Sequence, residues 1–445
     1  MESKFSRKNW TVLLLFGLIG QIAWAVENMY FNLFVFDTIS QNLSAITLMV
    51  QLSGIAATFV TLIAGTLSDK IGNRRSFISI GYIIWGLTVV LFGFISVETA
   101  ENLFGMSYDS AVKLCLAAVI IGDCVMTLFG STSNDAAFSA WVTDNTENSY
   151  RGQVESVLSI LPLAAMLIVA GGFGILVGAI GYKYLFLSLG LVISISGVIG
   201  LFIIKDSKNL VRSGTLRDMI YGFKPSTVKS NKAFYVSLLI LGIYGIACQI
   251  FMPYLIIYMK TYLAFSVVEY SVIFGLAIVL GAAVNIFLGR LSDRMDKVGS
   301  IYIAAGIFAA GLLAMYLAKD MGHIANLVLF GIAGFVMICG YIFISALSGA
   351  IVRDHTPENQ AGKLQGVRMI FAVLIPMLAG PAIGNAINAA RNIPLHDAGA
   401  DAMTTSYIPA PEIFLAGAIV SLIIFALVPL LARLTKKCDN ENNAE

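Results

Sequence analysis

Glu27 stands inside a long apolar run, residues 10–37, about 11 residues or about 16 Å of helix from the run's far end. An ionised carboxylate in such surroundings is costly unless it is paired or solvated, because low dielectric penalises the charged form. Glu27 is therefore a group suited to taking up and releasing a proton. The bland alternative is a permanently neutral, hydrogen-bonded structural glutamate. A second apolar run, 113–141, carries Asp123, Asn134 and Asp135. At 100° per residue Asp123 and Asn134 fall within about 20° of one stripe, with Thr127 between them and Asp135 one residue round. Such a stripe offers acceptors to the hydroxyls of a polar solute, although Asp123 also admits a position near the outer surface. Gln21, Asn28 and Asn32 share a stripe of the first run within about 20°, and Glu27 lies about 100° from Asn28. One set can line an interior while the other packs on a neighbour. Trp24 and Tyr30 suit either stacking on a ring or plain packing. Gln249 and Tyr254 are polar positions of a later run, and Arg368 is a basic residue at depth, placed either to snorkel or to pair with Asp135 or a substrate carboxylate. The proton-coupling candidates are thus Glu27, Asp135 and Asp123. The substrate-binding candidates are Gln21, Trp24, Asn28, Asn134, Asp135, Gln249 and Arg368.

Elements that cross a bilayer must position these residues. Of 445 residues, 58% are hydrophobic and only 12% charged, where soluble domains carry about 25% charge. The net charge of +2 leaves no basic excess for binding nucleic acid, and disorder, collagen and coiled coil are excluded with it. A spanning helix needs about 20 apolar residues. Twelve such runs are present, at 10–37, 43–67, 77–97, 113–141, 153–180, 182–204, 233–259, 267–289, 300–318, 324–352, 364–390 and 412–434. The first is too long for a signal-peptide core and is kept as a mature helix. With both termini placed in the cytoplasm, 22 of the 28 basic residues fall inside and only 5 in outer connections, the bias that sets orientation.

The halves repeat. Gly65-Thr-Leu-Ser-Asp69-Lys-Ile-Gly72-Asn-Arg-Arg75 recurs 224 residues later as Gly289-Arg-Leu-Ser-Asp293-Arg294-Met-Asp-Lys-Val-Gly299. Asp144-Asn-Thr146 with Gly152-Gln-Val-Glu155 recurs 210 residues later as Asp354-His-Thr356 with Gly362-Lys-Leu-Gln365. Two matches at near-equal spacing imply duplication, the internal symmetry that secondary transporters use. The expected organisation is a six-helix bundle over 1–204, a basic cytoplasmic linker over 205–232 and a second bundle over 233–445. Thr215–Gly222 is expected to form a short surface helix within that linker. Runs 3, 6, 9 and 12 contain no Asp, Glu, Asn, Gln, Lys, Arg or His in their apolar cores. Lipid cannot satisfy such groups, so every third helix is expected to be lipid-facing scaffold.

Other chemistry is missing. Cys115, Cys124, Cys248, Cys339 and Cys438 are widely spaced with no CxxC pair, so they read as apolar fillers rather than a disulfide frame or zinc site. His323, His355 and His396 fall in polar connections, which disfavours haem ligation at depth. No nucleophile with its base, metal cluster or phosphate loop is recognisable. No enzyme activity, catalytic residue or metal site is expected.

The loop Gly65–Arg75, with its degenerate copy, closely resembles the signature of the major facilitator superfamily, G-x-L-(S/A)-D-(K/R)-x-G-(R/N)-(R/K), and the resemblance covers essentially the whole chain. It implies an all-α membrane protein of twelve transmembrane helices, two six-helix bundles around a central cavity that alternate between inward- and outward-open states. Gly65, Asp69, Gly72, Arg74, Arg75, Asp293 and Arg294 then read as gating residues: Asp69 accepts charge-assisted hydrogen bonds from the basic cluster, and the two glycines permit the tight turn. Glu155 reads as gate structure. A finer similarity joins Gly20–Glu27 to sucrose-type proton symporters and Asn134–Trp141 to glycoside–pentoside–hexuronide:cation symporters. In the latter family an Asp at the position of Asp135 binds the sugar and a basic residue placed like Arg368 assists. Ser139 stands where that family has its stacking Trp, and Ile160 and Pro162 occupy the stretch of its helix-five Arg. The resemblance implies cation-coupled uptake of a sugar or glycoside through the cell membrane. Proton-coupled drug or metabolite efflux is the alternative, disfavoured by the lack of Gly-Pro in run five, Ala170–Gly178. A channel suits the duplicated loops less well. The expected partners are a small solute and the lipid bilayer, with no nucleic acid, a monomeric chain, and no cofactor beyond a coupling proton or sodium ion.

Overall fold

A segment surrounded by lipid has to close its backbone hydrogen bonds within itself, and only the helix does that in a single stretch. The computed structural model describes residues 6–146, 151–207, 221–294, 297–319, 321–357, 361–395 and 407–442, and their regular structure is helical. Eleven helices are long and apolar enough to cross a membrane. Ten correspond one to one with the expected runs. The eleventh, Val157–Ile203, is 47 residues long and holds both run five and run six. Gly181 divides it: at φ 75° and ψ 165° it takes a conformation reserved for glycine, reversing the chain with almost no loop. The spanning helices are α1 Arg7–Thr38, α2 Leu43–Ile71, α3 Arg74–Phe92, α4 Tyr108–Asn145, α5 at 151–180 and α6 at 182–203. They continue with α7 Lys232–Thr261, α8 Val267–Arg294, α9 Lys297–Leu317, α10 His323–Asp354, α11 Leu364–Arg391 and α12 Glu412–Asn442. The proposed surface helix of the linker lies mostly outside the described residues.

The chain divides into two compact units, Met1–Leu216 and Arg217–Glu445. In the first, the principal pairings are α3 with α6, α2 with α4, α3 with α4 and α1 with α5. In the second, α9 pairs with α10 and α12, α7 with α11 and α12, and α8 with α10. Adding six to each helix number carries every pairing of the first set into the second, which adds only α7 with α12, so the duplication seen in the loop motifs extends to the packing.

Large apolar side chains left uncovered on α3 (Ile80, Leu87, Leu91), α6 (Leu191, Ile195, Phe202) and α12 (Ile419, Leu422, Leu430) suit contact with lipid. The scaffold reading of every third helix needs one correction: the inner face of α3 carries Tyr82 and Trp85, both fully buried and turned towards α1 and α4. Uncharged phenol and indole groups do not register in a survey of charges and amides. The α3–α6 contact is made by small residues. A Cβ added to Gly86 would fall on the Gly190 carbonyl oxygen and on Ser194, and one added to Gly190 would fall on the Gly86 carbonyl. Close backbone approach of this kind substitutes for the hydrophobic effect, which lipid removes as a driving force between helices.

Gly86→Leu is expected to destabilise the first unit by about 1–3 kcal/mol through overpacking. Gly178→Ala, at a helical position with nothing within 4 Å of the added carbon, is expected to be neutral or mildly stabilising. Thermal unfolding of the detergent-solubilised variants measures both.

Candidate functional site

Helices α1 and α4 run antiparallel, with Gly17 against Phe138, Gly20 against Asn134, and Glu27 against Thr127. Each is interrupted where polar residues gather. Glu27–Phe31 in α1 and Ser131–Phe138 in α4 are π-helical, with the wider turn that often marks functional sites. The extra residue per turn changes which side chains share a face. Along the expected stripe Gln21 is half-buried, Asn28 exposed and Asn32 buried. Asn28 Nδ2 donates to the Trp24 carbonyl at 2.8 Å and Asn32 Nδ2 to the Asn28 carbonyl at 2.9 Å, so both amides bond along their own helix.

The first polar cluster surrounds Glu27, which is buried. Its Oε1 accepts from Ser53 Oγ of α2 at 3.0 Å and from Thr127 Oγ1 of α4 at 3.1 Å, and the two hydroxyl oxygens lie 2.8 Å apart. Asp123, one turn from Thr127, is 2% exposed, so it is an interior residue and not one near the outer surface. It bears electrostatically on Glu27. Glu27 Oε2 and Asp123 Oδ1 are both buried without a hydrogen-bond partner. No ion pair among the described residues includes either carboxyl.

The second cluster lies about two turns along. Asn134 is buried, with Oδ1 held by the Tyr82 hydroxyl at 2.9 Å and Nδ2 donating to Asp135 Oδ1 at 3.3 Å. The same Tyr82 hydroxyl reaches the Phe16 carbonyl at 2.7 Å and ties α3 to α1. Asp135 is half-buried. The Trp24 indole and Ser131 hydroxyl bear on its carboxyl from beyond hydrogen-bond range, and both are buried donors otherwise without a partner. Trp24 is not a free stacking surface: its ring lies 5.0 Å from that of Trp85, and Gly130 faces it at van der Waals distance. The two substrate candidates of the second unit are half-buried on α7 and α11: Gln249 packs directly on Gly380, and Arg368 lies in the first stretch of α11, Ala361–Met369.

The expected gate is built around Arg74, whose side chain is only 6% exposed. Its Nη2 pairs with Asp69 Oδ1 at 2.5 Å, its Nε with Asp144 Oδ2 at 3.0 Å, and its Nη1 donates to Ser68 Oγ at 2.5 Å. Asp144 comes from the second duplicated motif, so the two repeated signatures of the first half meet on one guanidinium. Arg75 serves a different contact, its backbone N–H donating to Asp206 at 2.9 Å and its guanidinium to the Leu201 carbonyl. Gly72, at φ 69° and ψ 36°, ends α2 and bonds back to the Ser68 carbonyl at 2.9 Å. Gly65 lies within α2, seven residues earlier, and takes no part in the turn, contrary to the expectation that both glycines shape it. In the second unit Lys297 pairs with Asp354 at 2.7 Å, both half-exposed. The side chains of Asp293, Arg294 and Glu155 lie outside the described residues.

Ser53, Tyr82, Ser131 and Asp144 were absent from the expected site. Asp144 was visible in the duplicated motif. The hydroxyls had no sequence signal, because Ser, Thr and Tyr are common in membrane helices whatever they face.

The profile of the Major Facilitator Superfamily matches residues 13–381. A search of curated protein sequences finds no match. Among solved structures, a variant of the nucleoside transporter NupG superposes with a TM-score of 0.70 at 11% identity, over 94% of this chain and 98% of its own. A bacterial homologue of the human lysosomal transporter Spinster, inward-facing and unoccupied, gives 0.67 at 14% identity, over 96% and 98%. A bacterial homologue of the iron transporter ferroportin, outward-facing with soaked iron, gives 0.61 at 18%, over 95% and 97%.

Removing one partner of a buried, hydrogen-bonded charge costs more than breaking an exposed pair. Arg74→Ala is expected to lower stability by about 1–3 kcal/mol, with Arg74→Lys recovering only part. Lys297→Ala is expected to cost less than about 1 kcal/mol. Thermal unfolding in detergent distinguishes them, and equal losses would mean that Arg74 is not the hub described.

Proposed function

The chain belongs to the major facilitator superfamily, and from that premise we propose that it is a secondary transporter coupling a proton, or another small cation, to the uptake of a sugar or glycoside across the cell membrane. In this reading both termini face the cytoplasm, where the basic connections collect.

The observation that carries the substrate class is the second cluster. Asp135 is a partly exposed acceptor, and beside it stand two buried donors with nothing else to bond, the Trp24 indole and the Ser131 hydroxyl. A group of one acceptor and two donors, fixed by Asn134 and Tyr82, matches the mixed donor–acceptor character of sugar hydroxyls. The amide and phenol hold the carboxyl in place, so little ordering remains to be done when substrate arrives. A nucleoside is itself a glycoside, and the fold shared with NupG is consistent with that class. Glu27 and Asp123 supply the coupling site: two carboxyls at depth, without a countercharge among the ion pairs of the described residues, favour binding a proton or cation. Arg74, with Asp69 and Asp144, would hold the basic end of the first bundle together in one transport state and release it in another.

The test uses purified protein in liposomes. Counterflow of labelled sugars, glycosides and nucleosides is expected for at least one compound, and Asp135→Asn is expected to lower it at least tenfold. An inward proton gradient should then drive accumulation, while Glu27→Gln should abolish accumulation and preserve counterflow. Absence of counterflow across the panel would overturn the substrate class. Unchanged accumulation in Glu27→Gln would remove the coupling role from that residue, and accumulation driven only by an outward gradient would favour antiport.

A further inference from the structure

The oxygens around Glu27 form a closed triangle, with edges of 3.0 Å from Ser53 to Glu27, 3.1 Å from Thr127 to Glu27 and 2.8 Å from Ser53 to Thr127. Every edge is a hydrogen-bond distance, and each bond requires one hydrogen. A serine or threonine hydroxyl carries a single hydrogen and donates once. Two hydroxyls can therefore fill two edges. If Glu27 is ionised, the third edge sets two oxygens lone pair to lone pair in a buried place, where an unmade bond is expensive. A proton on Oε1 supplies the missing hydrogen. The ring then closes head to tail, Glu27 donating to Ser53, Ser53 to Thr127 and Thr127 back to Glu27.

We propose that Ser53 and Thr127 form a hydroxyl latch that specifies the protonated form of Glu27. The inference rests on the coupling role given to Glu27 above and identifies its ligand as a proton rather than a metal cation. Glu27 Oε2, outside the triangle, is buried without a hydrogen-bond partner. With Glu27 ionised the triangle has lost its third hydrogen, so the latch opens as the proton leaves. Ser53 and Thr127 are positioning residues and need not touch the transported solute. The titratable groups bearing on Glu27 come from α4: Asp123, Asp135 and the thiol of Cys124. From α2 it meets the Ser53 hydroxyl, and Tyr82 of α3 bears on Asp135.

The latch can be tested without knowing the substrate, by infrared difference spectroscopy of the purified full-length protein titrated with acid in detergent. The wild type is expected to show the C=O stretch of a buried, hydrogen-bonded carboxylic acid. Glu27→Gln should remove that band. Ser53→Ala and Thr127→Val should move it to the frequency of a less hydrogen-bonded acid and lower its titration midpoint by about one pH unit, a tenfold loss of proton affinity. The conservative changes Ser53→Thr and Thr127→Ser should restore both, which a general packing defect would not allow. A band and midpoint unchanged in both hydroxyl variants, with the band still lost in Glu27→Gln, would overturn the latch and leave the coupling residue intact. A band that survives Glu27→Gln would instead overturn the coupling reading. Loss of the wild-type band on replacing potassium by sodium chloride at constant pH would show a cation site in place of a proton site.

Discussion

A carboxyl group within the hydrocarbon layer must be neutral, paired or hydrated, and the first bundle is arranged around that requirement. Glu27 has no cationic partner among the ion pairs of the described residues, so its polar neighbours have to satisfy the carboxyl instead. Helices α2 and α4 each bring one hydroxyl to a single carboxylate oxygen. A π-turn begins at Glu27, which is buried while the next residue, Asn28, is exposed. Two turns away the matching interruption of α4 presents Asn134 and Asp135 to α3 and α1. Both polar clusters sit where regular helix gives way, as expected when backbone and side chains together have to satisfy buried polar atoms.

The duplication provides two copies of one packing plan, used differently. In the first unit the repeated motifs close on a buried arginine with two aspartates, whose desolvation is offset by three charge-assisted contacts. In the second unit the corresponding connection uses a lysine on one aspartate in solvent, a contact that salt and hydration weaken. The α7–α11 pairing of the second unit depends instead on close approach: Gly380 lies against Gln249, Gly384 against Ile250, and the Tyr254 hydroxyl bonds to the Pro381 carbonyl at 3.0 Å. Both copies use close backbone contact, and the two polar clusters described lie in the first.

The membrane class, the helices, the repeat and the residues at depth were legible because each is a one-dimensional property. Hydrophobic length is counted along the chain, and a charged or amide residue in an apolar run stands out whatever it touches. Helix phase was legible where the helix stayed regular, as for Asp123 and Thr127, four residues apart; the bonds that Asn28 and Asn32 make along their own helix were not. Gly65 was misread for a related reason. A motif supplies spacing, and the left-handed conformation that needs glycine occurs at Gly72 alone.

The sequence by itself determined that this chain crosses the bilayer many times, that its halves repeat, and which few ionisable groups remain at depth, since burial in lipid makes each such group conspicuous. Only the tertiary structure decided that Glu27 meets Ser53 and Thr127, that Arg74 and not Arg75 is the buried hub, and that Tyr82 supports the second cluster. These contacts join residues between 5 and 100 positions apart. Their hydroxyl, amide and guanidinium groups have meaning only from the direction in which they point, and direction is set by the packing of neighbouring helices.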